Sequence, residues 1–299
     1  VVGAPGNAEY DQLFRSWAAR WQQAAALGEL SFQVIGLEPQ PGLADRELLR
    51  QRLADLPHDE LRLWLVLSGH GTFDGRTAKF NLRGEDITAD ELGEWLNQHQ
   101  RPIAVIGAYA ASAPLLEKVS GTGRVVISST RSAAEVNFSR FGGFLIDALL
   151  DPTADLDKDQ QVSLLEAFLR ASRKTQEFYE ADGRLETEHP LLDDNGDGLG
   201  VRSTAFRGVT PTGAEQDLSR LDGPRAHQWH LVPNPLEQEL PPEVAAQRDR
   251  LELEILALKA RKAKLPEADY YEQLEQLLLQ LAELTLRPST APTSAGESF

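Results

Sequence analysis

LRLWLVLSGHG, residues 61–71, decides how this chain is read. Leu61–Leu67 is nearly all apolar, as expected of a central strand covered on both faces. It stops at Ser68-Gly-His-Gly71, where flanking glycines hold a histidine in the open. Working outward, Val1-Val2 and Ser31–Leu37 read as the first two strands. Pro102–Ala108 (PIAVIGA), ending at Tyr109, and Arg124–Ser128 (RVVIS) read as the fourth and fifth. Helical periodicity fills the intervals at 9–27, 45–56, 88–98, 142–150 and 163–180. Strands alternating with helices imply an α/β fold, with a mostly parallel central sheet and helices on both faces. Sites in such sheets form at the carboxyl ends of the strands.

The α/β pattern occupies residues 1–205, and a Gly/Pro-rich connecting segment follows at 206–242. Residues 243–264 and 267–286, broken at Pro266, predict a helical hairpin. Tyr270, Tyr271, Leu274, Leu277, Leu278, Leu281 and Leu284 form its apolar stripe. That stripe either packs within the chain, the preferred reading, or pairs with another chain. Residues 287–299 (PSTAPTSAGESF is the end of this tail) have the composition of a disordered segment.

The chain has 299 residues, 41% of them apolar and 25% charged, which is ordinary for a globular protein with a sizeable core. Acidic side chains outnumber basic ones 46 to 30, for a net charge of -16. Such a surface repels phosphate backbones, which argues against nucleic acid, and leaves carboxylates for cations. No apolar run approaches the ~20 residues of a membrane span. There is no cysteine, which excludes disulfides, thiolate metal sites and a cysteine nucleophile. Methionine is absent even at position 1. The expectation is a processed or trimmed chain, with a secreted or periplasmic location favoured.

The succession of strand, Ser68-Gly-His-Gly71, helix, strand and Gly107-Ala-Tyr-Ala-Ala-Ser112 resembles the caspase and legumain clan of cysteine peptidases, over roughly residues 1–200. In that clan a histidine follows the third strand and the nucleophilic cysteine follows the fourth. The resemblance matches His70 to the histidine and sets Tyr109 where the cysteine belongs. It therefore implies a catalytically inactive pseudo-peptidase that binds a protein or peptide partner. A thiolate is accessible and nucleophilic beside an imidazole, whereas a phenol with pKa ~10 is not. The alternative is an active hydrolase pairing His70 with a non-cysteine nucleophile such as Ser112, which demands a base in reach and an oxyanion hole. A small-ligand or nucleotide-binding α/β protein has only the fold pattern behind it. Arg131, just past the fifth strand, suits an acidic group at this edge.

Asp155-Leu-Asp-Lys-Asp-Gln-Gln-Val-Ser-Leu-Leu-Glu166 carries the EF-hand calcium pattern. Carboxylates stand at its first, third and fifth positions, serine at the ninth and glutamate at the twelfth. The expected calcium ligands are Asp155, Asp157, Asp159, Gln161 by its carbonyl, and Glu166, with Ser163 direct or through water. Gln160 replaces the glycine that normally makes the sharp turn, which points to weak affinity. Asp193-Asp-Asn-Gly-Asp-Gly198 repeats the opening, with Asp193, Asn195 and Asp197, but Thr204 stands at position twelve. It is either a second ion site completed from elsewhere or an Asx-rich turn. Gly3-Ala-Pro-Gly6 reads as a turn, His227 and His230 as packing residues, and Trp17 and Trp21 as core.

Overall fold

The structure, a computed structural model, describes residues 1–39, 42–57, 61–212 and 221–286. They fall into two compact units, the first reaching Val232 and the second beginning at Pro233. The first unit runs α1 (Ala8–Leu27), α2 (Asp45–Ala54), β1 (Leu63–Ser68), β2 (Gly71–Phe73), β3 (Ala78–Phe80), β4 (Ile87–Thr88), α3 (Ala89–Leu96), β5 (Ile103–Ala108), α4 (Pro114–Val119) and β6 (Arg124–Ser128). It continues with α5 (Phe141–Leu149), α6 (Leu164–Ala181), β7 (Leu191–Asp193), β8 (Phe206–Arg207), β9 (Thr210–Pro211) and α7 (Pro224–His227).

One four-stranded sheet has the order β1-β5-β6-β7, parallel except for β7, which runs antiparallel to β6. Ser68 pairs with Ala108 and Gly107 with Ser128, so the parallel strands finish side by side. All of β5 is buried, and its side chains alternate between two cores, as strand geometry requires. Ala104, Ile106 and Ala108 join Trp21 of α1, Phe141 of α5 and Phe168 of α6. Ile103 and Val105 join Leu49 of α2, Leu92 of α3 and Leu115 of α4. The molecule is thus a mixed α/β fold whose mostly parallel sheet carries helices on both faces. Trp17 and Trp21 are both core residues.

Three features depart from the sequence pattern. Residues 31–37 form no strand, and Val2 makes only a single parallel bridge, to Ser68. Val2 N donates to Ile35 O at 2.7 Å. There Gly36 turns at φ +94°, and a Cβ on it would lie 1.9 Å from Val2 O. The segment touches Val2 at that close approach and builds no ladder. Second, β2, β3 and β4 make a small antiparallel sheet directly after His70, and β7 closes the main sheet. Third, residues 221–232 are core rather than connection: Ala226, Trp229 and Leu231 are buried with α1, α5 and α6.

The second unit holds α8 (Pro235–Gln238), α9 (Pro242–Ala260) and α10 (Glu267–Leu286). α9 and α10 pack together around a turn at Lys262–Lys264, the hairpin that Pro266 implies. Among the described residues no helix is long and apolar enough to cross a membrane. Residues 287–299 lie outside the described residues.

Candidate functional site

The carboxyl edge of the sheet gathers His70 and Tyr109 but does not pair their side chains. They follow β1 and β5, which are adjacent and parallel. Their loops touch: a Cβ on Gly71 would lie 2.0 Å from Ala110 O and 2.6 Å from Tyr109 Cδ2. Only glycine permits that approach. The His70 ring instead packs on Tyr10, Phe14 and Phe138, with centroids 4.5, 5.2 and 5.5 Å away. Its Nε2 lies 3.3 Å from Pro5 O. Burial lowers its pKa, so the ring is neutral at pH 7. Tyr109 enters the other core, 4% exposed, with its ring 4.9 Å from Phe80. Burial raises its phenol pKa well above the ordinary value, which removes phenolate chemistry near neutral pH.

Ser112 is 1% exposed and accepts from Ser129 N at 2.9 Å, with Thr130 Oγ1 at 3.4 Å. Those are the side chain's hydrogen-bond partners among the described residues, and His70 is not one of them. Arg131 is exposed and pairs through Nε with Glu135 Oε1 at 3.1 Å. The same carboxylate oxygen lies 2.6 Å from His189 Nδ1. His189 just precedes β7, so it belongs to the same edge, and nothing in its local sequence marks it. Glu188 beside it is fully buried and caps α5, accepting from Ser139 Oγ at 2.6 Å and Phe141 N at 3.2 Å.

The acidic loop before α6 does converge. One carboxylate oxygen each from Asp155, Asp157 and Asp159 lies within 4.8 Å of the others. The backbone reaches this through left-handed turns at Lys158, φ +66°, and Gln160, φ +73°. Lys158 N and Gln160 N donate to Asp155 at 2.6 and 3.2 Å. Asp159 N donates to Asp157 at 3.3 Å, and Gln161 N to Asp159 at 3.1 Å. The Gln161 side chain also donates to Asp159, at 2.9 Å.

Glu166, 1% exposed, clasps the loop. Its Oε1 accepts from Leu156 N at 2.6 Å, and its Oε2 from Ser163 N and Oγ at 2.8 and 2.7 Å. Ser163 Oγ accepts in turn from Glu166 N at 3.2 Å, a capping box that starts α6. Ser163 therefore faces Glu166. Glu166 groups instead with Asp157 and His227, their ligand atoms within 4.8 Å of one another. His227 Nε2 sits 2.9 Å from Asp157 Oδ2, which makes it a residue of the site and not of packing alone.

The second acidic loop folds by the same bonds. Gly196 N and Gly198 N donate to Asp193 at 2.8 and 2.5 Å. Asp197 N donates to Asn195 at 2.8 Å, and Leu199 N to Asp197 at 2.7 Å. What closes it comes from residues 221–232. Asp222 Oδ1 accepts from Asp194 N and Asn195 N at 2.8 and 3.2 Å. Asp194 accepts from Gly223 N at 2.9 Å and from Ala226 N at 2.7 Å. Burial pushes Asp194 up to about 6 and Asp222 up to about 8. The same segment meets the first loop through His227, through the Leu164 N to Trp229 O bond of 2.7 Å, and through the bridge between Ser163 and His230. No protein-family model matches the chain, and no curated protein matches it.

Proposed function

We propose that this chain is a caspase-like domain without peptidase chemistry, held by calcium at residues 155–166 and serving as a scaffold for a protein or peptide partner. The convergence of Asp155, Asp157 and Asp159 within 4.8 Å, on left-handed turns at the fourth and sixth loop positions, carries the proposal. Clustered carboxylate oxygens suit a hard cation. The three aspartates would hold it, with the Gln161 carbonyl completing the EF-hand pattern and Glu166 fixing the loop around it. The ion supplies the positive charge that the aspartates need at close quarters. The strained turn at Gln160 fits the weak affinity of extracellular modules, ~10⁻⁴–10⁻³ M. The caspase-like reading is supported by adjacent parallel strands that deliver His70 and Tyr109 to one edge. The pseudo-peptidase reading is supported by the missing thiol and by the separate surroundings of His70, Tyr109 and Ser112.

The test is a melting curve in calcium against one in chelator. At calcium near 100 times the dissociation constant, binding adds about 2.7 kcal/mol, or roughly 5–10 °C. Asp157→Asn and Asp159→Asn should abolish the shift. An unmoved midpoint in the wild type would sink the calcium reading. Peptide cleavage by the unmodified chain, lost in His70→Ala, would sink the pseudo-peptidase reading.

A further inference from the structure

α10 carries more apolar surface than α9 covers. Tyr270 and Leu284 are buried, at 5% and 4% exposure, whereas Tyr271, Leu278 and Leu279 are 49%, 47% and 58% exposed. Tyr271, Leu274, Glu275, Leu278 and Leu279 line an open groove along this helix. The steps from Tyr271 to Leu274 to Leu278, three residues and then four, are those of a seam for another helix. α10 spans 20 residues, long enough at ~1.5 Å per residue to seat about three heptads.

Charge says which helix. Glu267, Asp269, Glu272, Glu275 and Glu283 are the charged residues of α10, all acidic, and no Lys or Arg lies between Glu267 and Leu286. A second copy would set carboxylates against carboxylates across the seam, in a chain whose net charge is already -16. A helix with basic flanks neutralises them and lays its aliphatic stems over the leucines. The hairpin already shows one such contact: Lys262 Nζ sits 5.2 and 5.5 Å from the ring centroids of Tyr270 and Tyr271. We propose that this face of α10 docks an amphipathic helix of a protein partner whose apolar stripe is flanked by lysine and arginine. The face belongs to the second unit alone.

Two synthetic peptides test it against the full chain by fluorescence anisotropy. Each has about three heptads with the same leucine seam. One carries lysine at the flanking positions and the other glutamate. The lysine peptide should bind at least tenfold tighter and weaken as salt rises. Tyr271→Ser and Leu278→Ser should each cost about tenfold in affinity with unchanged melting temperature, because both positions are exposed. Glu272→Lys with Glu275→Lys should reverse the preference between the peptides. Equal binding of both peptides, or binding of neither, overturns the proposal. So does self-association in sedimentation that Leu278→Ser removes, since the occupant would then be a second copy.

Discussion

In the loop at 155 the first aspartate accepts from the N–H groups of residues 158 and 160; in the loop at 193 it accepts from residues 196 and 198. The fourth and sixth positions are left-handed in both, Lys158 and Gln160 in one, Gly196 and Gly198 in the other. One bonding scheme thus serves two loops of different composition. The difference lies in closure. The first loop is clasped by its own twelfth residue, Glu166, whereas the second has Thr204 there and is closed by Asp222 from a distant segment. The conformation is therefore no measure of a complete ligand set, and the twelfth residue is where the loops should behave most differently.

Removing that residue from each loop gives the largest contrast. Glu166→Ala strands the buried N–H and hydroxyl of Ser163, frees the N–H of the exposed Leu156, and removes half of the α6 capping box. Each donor stranded on buried Ser163 costs about 1–3 kcal/mol. A total of about 3 kcal/mol lowers the melting temperature by roughly 6–12 °C. Thr204 is exposed. Thr204→Ala should stay within about 0.5 kcal/mol. Both are measured in chelator, so that the clasp is read apart from any ion. Comparable losses in the two variants would show that closure at position twelve is not what separates the loops.

This contrast also shows where the sequence is legible. The runs at 61–67, 102–108 and 124–128 announce themselves because they are mostly apolar, as strands feeding two cores must be. Even so, β1 stands at the edge of the four-stranded sheet and is only half-buried, not central as its composition implied. The spacing of Asp155, Asp157 and Asp159 is equally local, and the structure brings them together. What could not be read depends on distance in the chain: His227 reaches Asp157 across 70 residues, and Asp222 reaches Asp194 across 28. β2, β3, β4 and β7 are three residues long or shorter, so alternation has no length over which to register. Residues 31–37 carry a strand-like pattern that the approach of Gly36 to Val2 leaves without a ladder.

The distant closure of the second loop has a pH signature. Asp194 and Asp222 have ordinary pKa values of 3.8, and burial raises them to about 6 and about 8. The native state therefore holds protons that the unfolded state releases. Their effect is neutral below pH 3.8; stability falls as pH climbs from there, and the loss is complete above about 6 for Asp194 and above about 8 for Asp222. Asp222→Asn keeps an oxygen to accept from Asp194 N and Asn195 N but cannot ionise. In chelator, that variant should melt several degrees above the wild type at pH 8.5 and level with it at about pH 3.5, where both states hold the proton. The same offset at both pH values would mean that the aspartate acts through packing and not through its charge.

The smallest effect isolates the turn itself. At position six the first loop has Gln160 at φ +73° and the second has Gly198 at φ +76°. A side chain in this region costs about 1–2 kcal/mol, because Cβ crowds the following carbonyl. Glycine escapes that cost but loses about 0.5–1 kcal/mol more chain entropy on folding. The net gain from Gln160→Gly is then about 0.5–1 kcal/mol, or roughly 1–4 °C. Gly198→Ala should lose a similar amount. The neighbours of an added Cβ there, Leu116 O at 3.4 Å and Glu117 Cα at 3.5 Å, are at ordinary contact, so conformation and not collision sets the cost. Opposite signs from the two substitutions are the expected outcome in chelator. If Gln160→Gly destabilises the fold, the side chain supplies more through its contacts than the turn costs, and the weak affinity needs another cause.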